Sequence, residues 1–217
     1  METLLRYSIA FLVPLFLLAV NVEAAKPAIA IALSFDRVTI TNVSPGATVA
    51  IFGAARQESA AVHLTRWQRA IEDTDRDGAV EFPLETPIPS DSVWFAVDVE
   101  TGALAVATPP RSRFRLRSFA PEMLVKGHDA KIDRFVVNKG MVDLFVVRPH
   151  VGAWTGYALD GNGSDGDHAR DGKSTVVFAN GRPLDGRAKA PQHLTPRDVV
   201  VAVALRSLEY ATTEVKE

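Results

Sequence analysis

Three aspartates at alternate positions, Asp73, Asp75 and Asp77, precede Gly78 in the stretch DTDRDGAVEF, Asp73 to Phe82. Alternate carboxylates followed by a glycine are what a chain needs to wrap a hard divalent cation. Calcium takes roughly six to eight oxygens at about 2.3–2.6 Å, and glycine permits the bend that turns the carboxylates inward. The same spacing offers the Ala79 backbone carbonyl and the Glu81 carboxylate as further oxygens. Carboxylates this close repel one another, and a cation removes that cost. Asp and Gly are also the residues tight turns require, so the stretch equally suits an acidic bend between two strands.

A second acidic stretch, DGNGSDGDHARDG, runs from Asp160 to Gly172. Asp160, Asn162 and Ser164 alternate there, but Asp165 stands where the glycine is expected; Asp165, Asp167 and Asp171 form another oxygen set. His168, beside Asp167, would suit a transition metal, and this loop is where a metal-dependent hydrolase would place its centre. Over about ten residues the first loop resembles the calcium loops of EF-hand and dockerin proteins. That resemblance implies calcium as the ion but not the EF-hand fold. Leu84 occupies the position of the bidentate glutamate, Glu85 falls one residue late, and the following segment has the pattern of a strand.

Other chemistry has less support. Arg111, Arg113, Arg115 and Arg117 alternate, so a strand would place all of them on one face. Such a stripe suits an anionic glycan, docking against the acidic first half of the chain, or the solvated face of an edge strand whose charge deters aggregation. Without interleaved exposed aromatics it does not point to nucleic acid. His63, His128, His150, His168 and His193 form no closely spaced zinc pair. There is no Gly-x-Ser-x-Gly elbow, and no glycine-rich phosphate loop follows a strand. The reading is therefore a non-catalytic chain.

These residues must be carried by strands. Ala28–Phe35, Arg37–Val43, Ala47–Gly53, Ser92–Val99, Ala103–Pro109, Ala153–Asp160, Ser174–Ala179 and Asp198–Leu205 are short apolar or β-branched runs separated by Gly, Pro, Asn and Asp. Two hairpins are expected, one at Glu100–Gly102 and one at Lys139–Gly140, between Lys131–Asn138 and Met141–Arg148. His63–Asp73 has helical spacing at Leu64, Trp67, Ala70 and Ile71, yet an internal similarity argues for a strand there. In both halves a tryptophan (Trp67, Trp154) precedes an acidic loop, an Asp-Gly, a Val-Phe strand and a Pro-Leu pair. Trp94 belongs to the core, and Trp67 and Trp154 are expected to play equivalent core roles.

The expected fold is all-β: two tandem immunoglobulin-like β-sandwich domains formed by internal duplication, at 26–109 and 110–212, joined at Pro109–Pro110, with a frayed tail at 213–217. The style resembles secreted bacterial tandem immunoglobulin-like modules. Residues 1–24 read as a signal peptide, with Arg6, an apolar run from Ile9 to Val20, and Val22 and Ala24 at the cleavage site. No later stretch is apolar enough to span a membrane. The chain has no cysteine, hence no disulfide framework and no lipidated cysteine. Residues 25–109 hold 6 Lys/Arg against 11 Asp/Glu (net −5), and 110–217 hold 17 against 13 (net +4), so the halves attract. The expectation is an exported binding or structural module, periplasmic or extracellular, stabilised by calcium, with an envelope protein or anionic glycan as partner.

Overall fold

A computed structural model describes residues 28–56, 66–110, 122–126, 129–133, 142–159, 174–177, 182–184, 194–204 and 208–215. Every regular element among them is a β-strand. The first half contributes β1 (Ala30–Leu33), β2 (Arg37–Thr41), β3 (Thr48–Ala55), β4 (Arg66–Glu72), β5 (Ala79–Pro83), β6 (Ser92–Asp98) and β7 (Leu104–Ala107). The second half contributes β8 (Glu122–Lys126), β9 (Asp129–Asp133), β10 (Val142–Arg148), β11 (Gly152–Leu159), β12 (Ser174–Val177), β13 (Arg182–Pro183), β14 (Val199–Ala204) and β15 (Tyr210–Glu214).

The strands form three antiparallel sheets, ordered β1-β2-β5, β4-β3-β6-β7 and β15-β14-β10-β11-β12-β9-β8, with β13 added to β11. The four-stranded sheet lies in the middle. Its central strands, TVAIFGAA and SVWFAVD, lack the polar alternation of a half-solvated strand because both of their faces are covered. On one face Val49, Ile51, Trp94 and Ala96 pack with Val38, Ile40 and Val80 of the three-stranded sheet. On the other, Ala50, Phe52, Phe95 and Val97 pack with Phe145, Val147, Val201 and Val203 of the largest sheet. The rings of Phe52 and Phe145 stack at 5.6 Å. One core is thus built from residues on both sides of Pro109–Pro110.

The largest sheet curls until its end strands β15 and β8 approach each other. The face of β10, β11 and β14 turned away from the central sheet is also buried: Leu144, Val146, Val200 and Ala202 are at 0% exposure and Trp154 at 1%. A part-buried ion pair fixes this sheet. Asp198, fully buried ahead of β14, receives both Nε and Nη2 of Arg148 at 2.8 Å, and the Thr195 amide at 2.8 Å. That hydrogen bonding raises the Arg148 pKa above its ordinary value. Arg148 also lies 6.0 Å over the Trp154 ring.

The segment with helical spacing is strand β4, as the internal similarity suggested, with residues 63–65 outside the described set. Trp67 is half-buried on this edge strand, where it stacks on the buried Trp94 at 5.0 Å; Trp154 is wholly buried. The Glu100–Gly102 hairpin joins β6 to β7. Two expectations are corrected. Lys131–Asp133 belongs to β9, which pairs with β8 and β12, while β10 pairs with β11 and β14, so the described parts of the two expected hairpin arms are not partners; residues 134–141, with the Lys139–Gly140 turn, lie outside the described residues. The tail is not frayed through 213–214: Tyr210–Glu214 forms β15 along β14, because Ala211 and Val215 have apolar surface to bury.

Candidate metal centre

The connection from β4 to β5 crosses from the central sheet to the three-stranded one. It must reverse in a few residues, and Arg76 (φ 60°) and Gly78 (φ 79°) both take left-handed backbone to do so. Side chains brace the bend: Asp75 Oδ1 accepts from the Asp77 amide at 3.5 Å, and Asp77 Oδ1 from the Ala79 amide at 2.8 Å. The result brings one carboxylate oxygen from each of Asp73, Asp75 and Asp77 within 4.8 Å of one another, a group that could hold a metal ion.

The three aspartates are not equivalent. Asp75 and Asp77 are exposed, whereas Asp73 is 1% exposed. Asp73 Oδ2 accepts the Gly46 and Gly78 amides, each at 3.1 Å. Burial pulls the Asp73 pKa up. The Gly46 and Gly78 amides, with the Arg76 amide, outweigh it and hold the group below the usual carboxylate range. Asp73 Oδ1 is buried and has no hydrogen-bond donor among the described residues. An ionised, buried oxygen without a donor is costly, and a cation is one way to satisfy it.

The bend is tied to its surroundings. The Asp73 amide donates to Ala47 O at 3.0 Å and the Val43 amide to Gly78 O at 3.0 Å. The same Ser44–Gly46 turn is clasped from its other side by Asp98, 1% exposed, whose Oδ2 accepts the Ser44 amide at 2.7 Å. Asp98 Oδ1 accepts the Glu100 and Thr101 amides at 2.8 and 3.0 Å. Burial raises the Asp98 pKa, but the Ser44 amide and hydroxyl and these two amides bring it below its usual value. The β10–β11 turn then docks on Val99–Glu100: the His150 amide donates to Val99 O at 2.8 Å, and His150 Nδ1 lies 3.0 Å from Glu100 Oε1.

Of the other residues expected at the first loop, Ala79 lies in β5 opposite Thr41, and Glu81 is engaged by Arg37 at 2.7 Å. Asp160, Asn162, Ser164, Asp165, Asp167, His168 and Asp171 lie outside the described residues, as do Arg111, Arg113, Arg115 and Arg117 and the segment 1–24. Sequence reasoning missed Asp98 and Asp198, the buried carboxylates that hold turns. Asp98 had a visible signal, an Asp closing an apolar strand immediately before the turn residues Glu100–Gly102. No protein-family model matches the chain, and no curated protein and no solved structure is significantly similar to it.

Proposed function

We propose that this chain is an exported, non-catalytic binding or structural module of the cell envelope or the extracellular space, and that the Asp73–Asp77 bend holds a calcium ion that stabilises it. The observation that carries the metal is Asp73: a buried, ionised carboxylate in a group with two others, with one oxygen lacking a donor among the described residues. The donors are all oxygens, which favours a hard cation over zinc or copper. Calcium tolerates an irregular, partly hydrated oxygen shell, whereas magnesium demands near-ideal octahedral geometry. Export is supported by the leader pattern of residues 1–24, and the non-catalytic role by the lack of any nucleophile-and-base or zinc-pair motif in the sequence.

An ion here would act on the fold through Asp73, which holds the Ser44–Gly46 turn that Asp98 holds from the other side. Binding to the folded state alone contributes roughly 2.7 kcal/mol at a hundredfold excess over Kd. For a chain of this size that is a Tm rise of roughly 5–10 °C. Thermal unfolding in millimolar calcium and in chelator tests this. A rise is expected for the native chain and not for the Asp75→Asn/Asp77→Asn double variant, whose changes are confined to exposed side chains. No rise for the native chain removes the metal.

The finer reading of two immunoglobulin-like sandwiches derived by duplication is supported by the shared order of tryptophan, acidic loop and Val-Phe strand in the two halves. The strand pairings differ: β4 and β5 lie in separate sheets, whereas β11 and β12 pair directly.

A further inference from the structure

Beside the acidic bend, a groove of about 540 Å³ opens between β4 and β5, lined by Arg69, Ile71, Glu72, Thr74, Phe82 and Pro83. Both strands are sheet edges, so the groove is the open lateral seam between the central and the three-stranded sheet. Thr74, which lines the groove, stands between Asp73 and Asp75 in the chain, so the groove adjoins the bend. Resting on the calcium reading above, we infer that this seam is a binding site for a neutral oligosaccharide, whose vicinal hydroxyls complete the coordination of the ion.

Coordination sets the first part of the inference. The group offers one oxygen from each of three aspartates, two of them exposed, against the six to eight oxygens that calcium takes. Positions on the solvent side are therefore left for water or for a ligand's oxygens. Charge decides the class of ligand. The two charges of the ion with those of Arg69 and Arg76 balance the carboxylates of Glu72, Asp73, Asp75 and Asp77, and Glu81 is balanced by Arg37. A site without net positive charge does not favour an acidic glycan, whereas hydroxyls are neutral oxygen ligands. The walls fit the same class. Arg69, Glu72 and Thr74 are exposed donors and acceptors for hydroxyls, and Ile71, Phe82 and Pro83 supply apolar surface for sugar rings.

The ligand's length follows from the strand. Arg69 stands four residues before Asp73, roughly 13 Å along β4. A single ring does not span the ion and Arg69, so an oligomer is expected to bind more tightly than a monomer. A peptide strand fits less well: Pro83 removes an edge amide from β5, and Arg69 and Glu72 put charge on the edge of β4.

The experiment is an array of neutral and acidic glycans probed with the purified chain in calcium and in chelator, alongside thermal unfolding of the same samples. Retention of neutral oligosaccharides is expected, weakened at least tenfold by chelator. Arg69→Ala and Thr74→Val should lose it while keeping the calcium-induced rise in Tm. Four results overturn the inference while leaving the metal in place: retention of acidic glycans only, retention indifferent to chelator, retention indifferent to both groove substitutions, or no retention by a chain that calcium stabilises. A chain that calcium does not stabilise removes both readings.

Discussion

Asp73 and Asp98 show how a single carboxylate organises a turn. Each is buried, each is ionised, and each is kept so by amides aimed at it rather than by a neighbouring arginine. Both have a pKa lowered from the ordinary 3.8. A carboxylate with a depressed folded pKa contributes stability that is present above its unfolded pKa and lost as pH falls through the folded value. In calcium-free buffer, these groups should therefore give the urea midpoint no pH dependence near neutrality and make it fall below about pH 4. Asp98→Asn should lower the midpoint at pH 7 and flatten the acid fall. A variant whose acid fall matches the native chain's would show that Asp98 takes no part in it. Asp198 differs, because its partner is the Arg148 fork. Removing the Arg148 side chain leaves the buried Asp198 carboxylate without its counter-charge, a loss on the order of 3–5 kcal/mol.

At the scale of elements, the pairing of β3 with β6 turns on one glycine. Gly53 lies opposite Trp94, and a Cβ at residue 53 would stand 2.5 Å from the Trp94 ring, which is at 0% exposure and has no room to retreat. Gly53→Ala is expected to cost roughly 1–3 kcal/mol, read as a lower urea midpoint with an unchanged slope. The strands themselves were legible in the sequence, because apolar runs such as TVAIF and SVWFAV are bounded by turn residues. The partners of each strand were not. Periodicity marks a buried face without saying which sheet covers it, so β2 and β3, adjacent in the chain, sit in different sheets. The three aspartates of the bend were visible by spacing, but their division into one buried and two exposed was not. It depends on the Ser44–Gly46 turn, which lies about thirty residues upstream.

For the whole molecule, the decisive feature is a middle sheet covered on both sides. Residues 26–109 made alone would keep the three-stranded sheet but leave Ala50, Phe52, Phe95 and Val97 without their cover from β10 and β14. That fragment is expected to bind a hydrophobic dye and to elute as associated species from a sizing column. A monomeric fragment with a cooperative thermal transition would instead establish two independent units. The same layering sets an order of events during biogenesis. Phe52 leaves the ribosome long before Phe145 and cannot reach its stacking partner until most of the chain has been made. Contacts between residues so far apart close slowly. Until then the bare apolar sheet is a surface for aggregation, and a chaperone that shields β3 and β6 until β14 arrives would serve this chain better than one acting on the finished product.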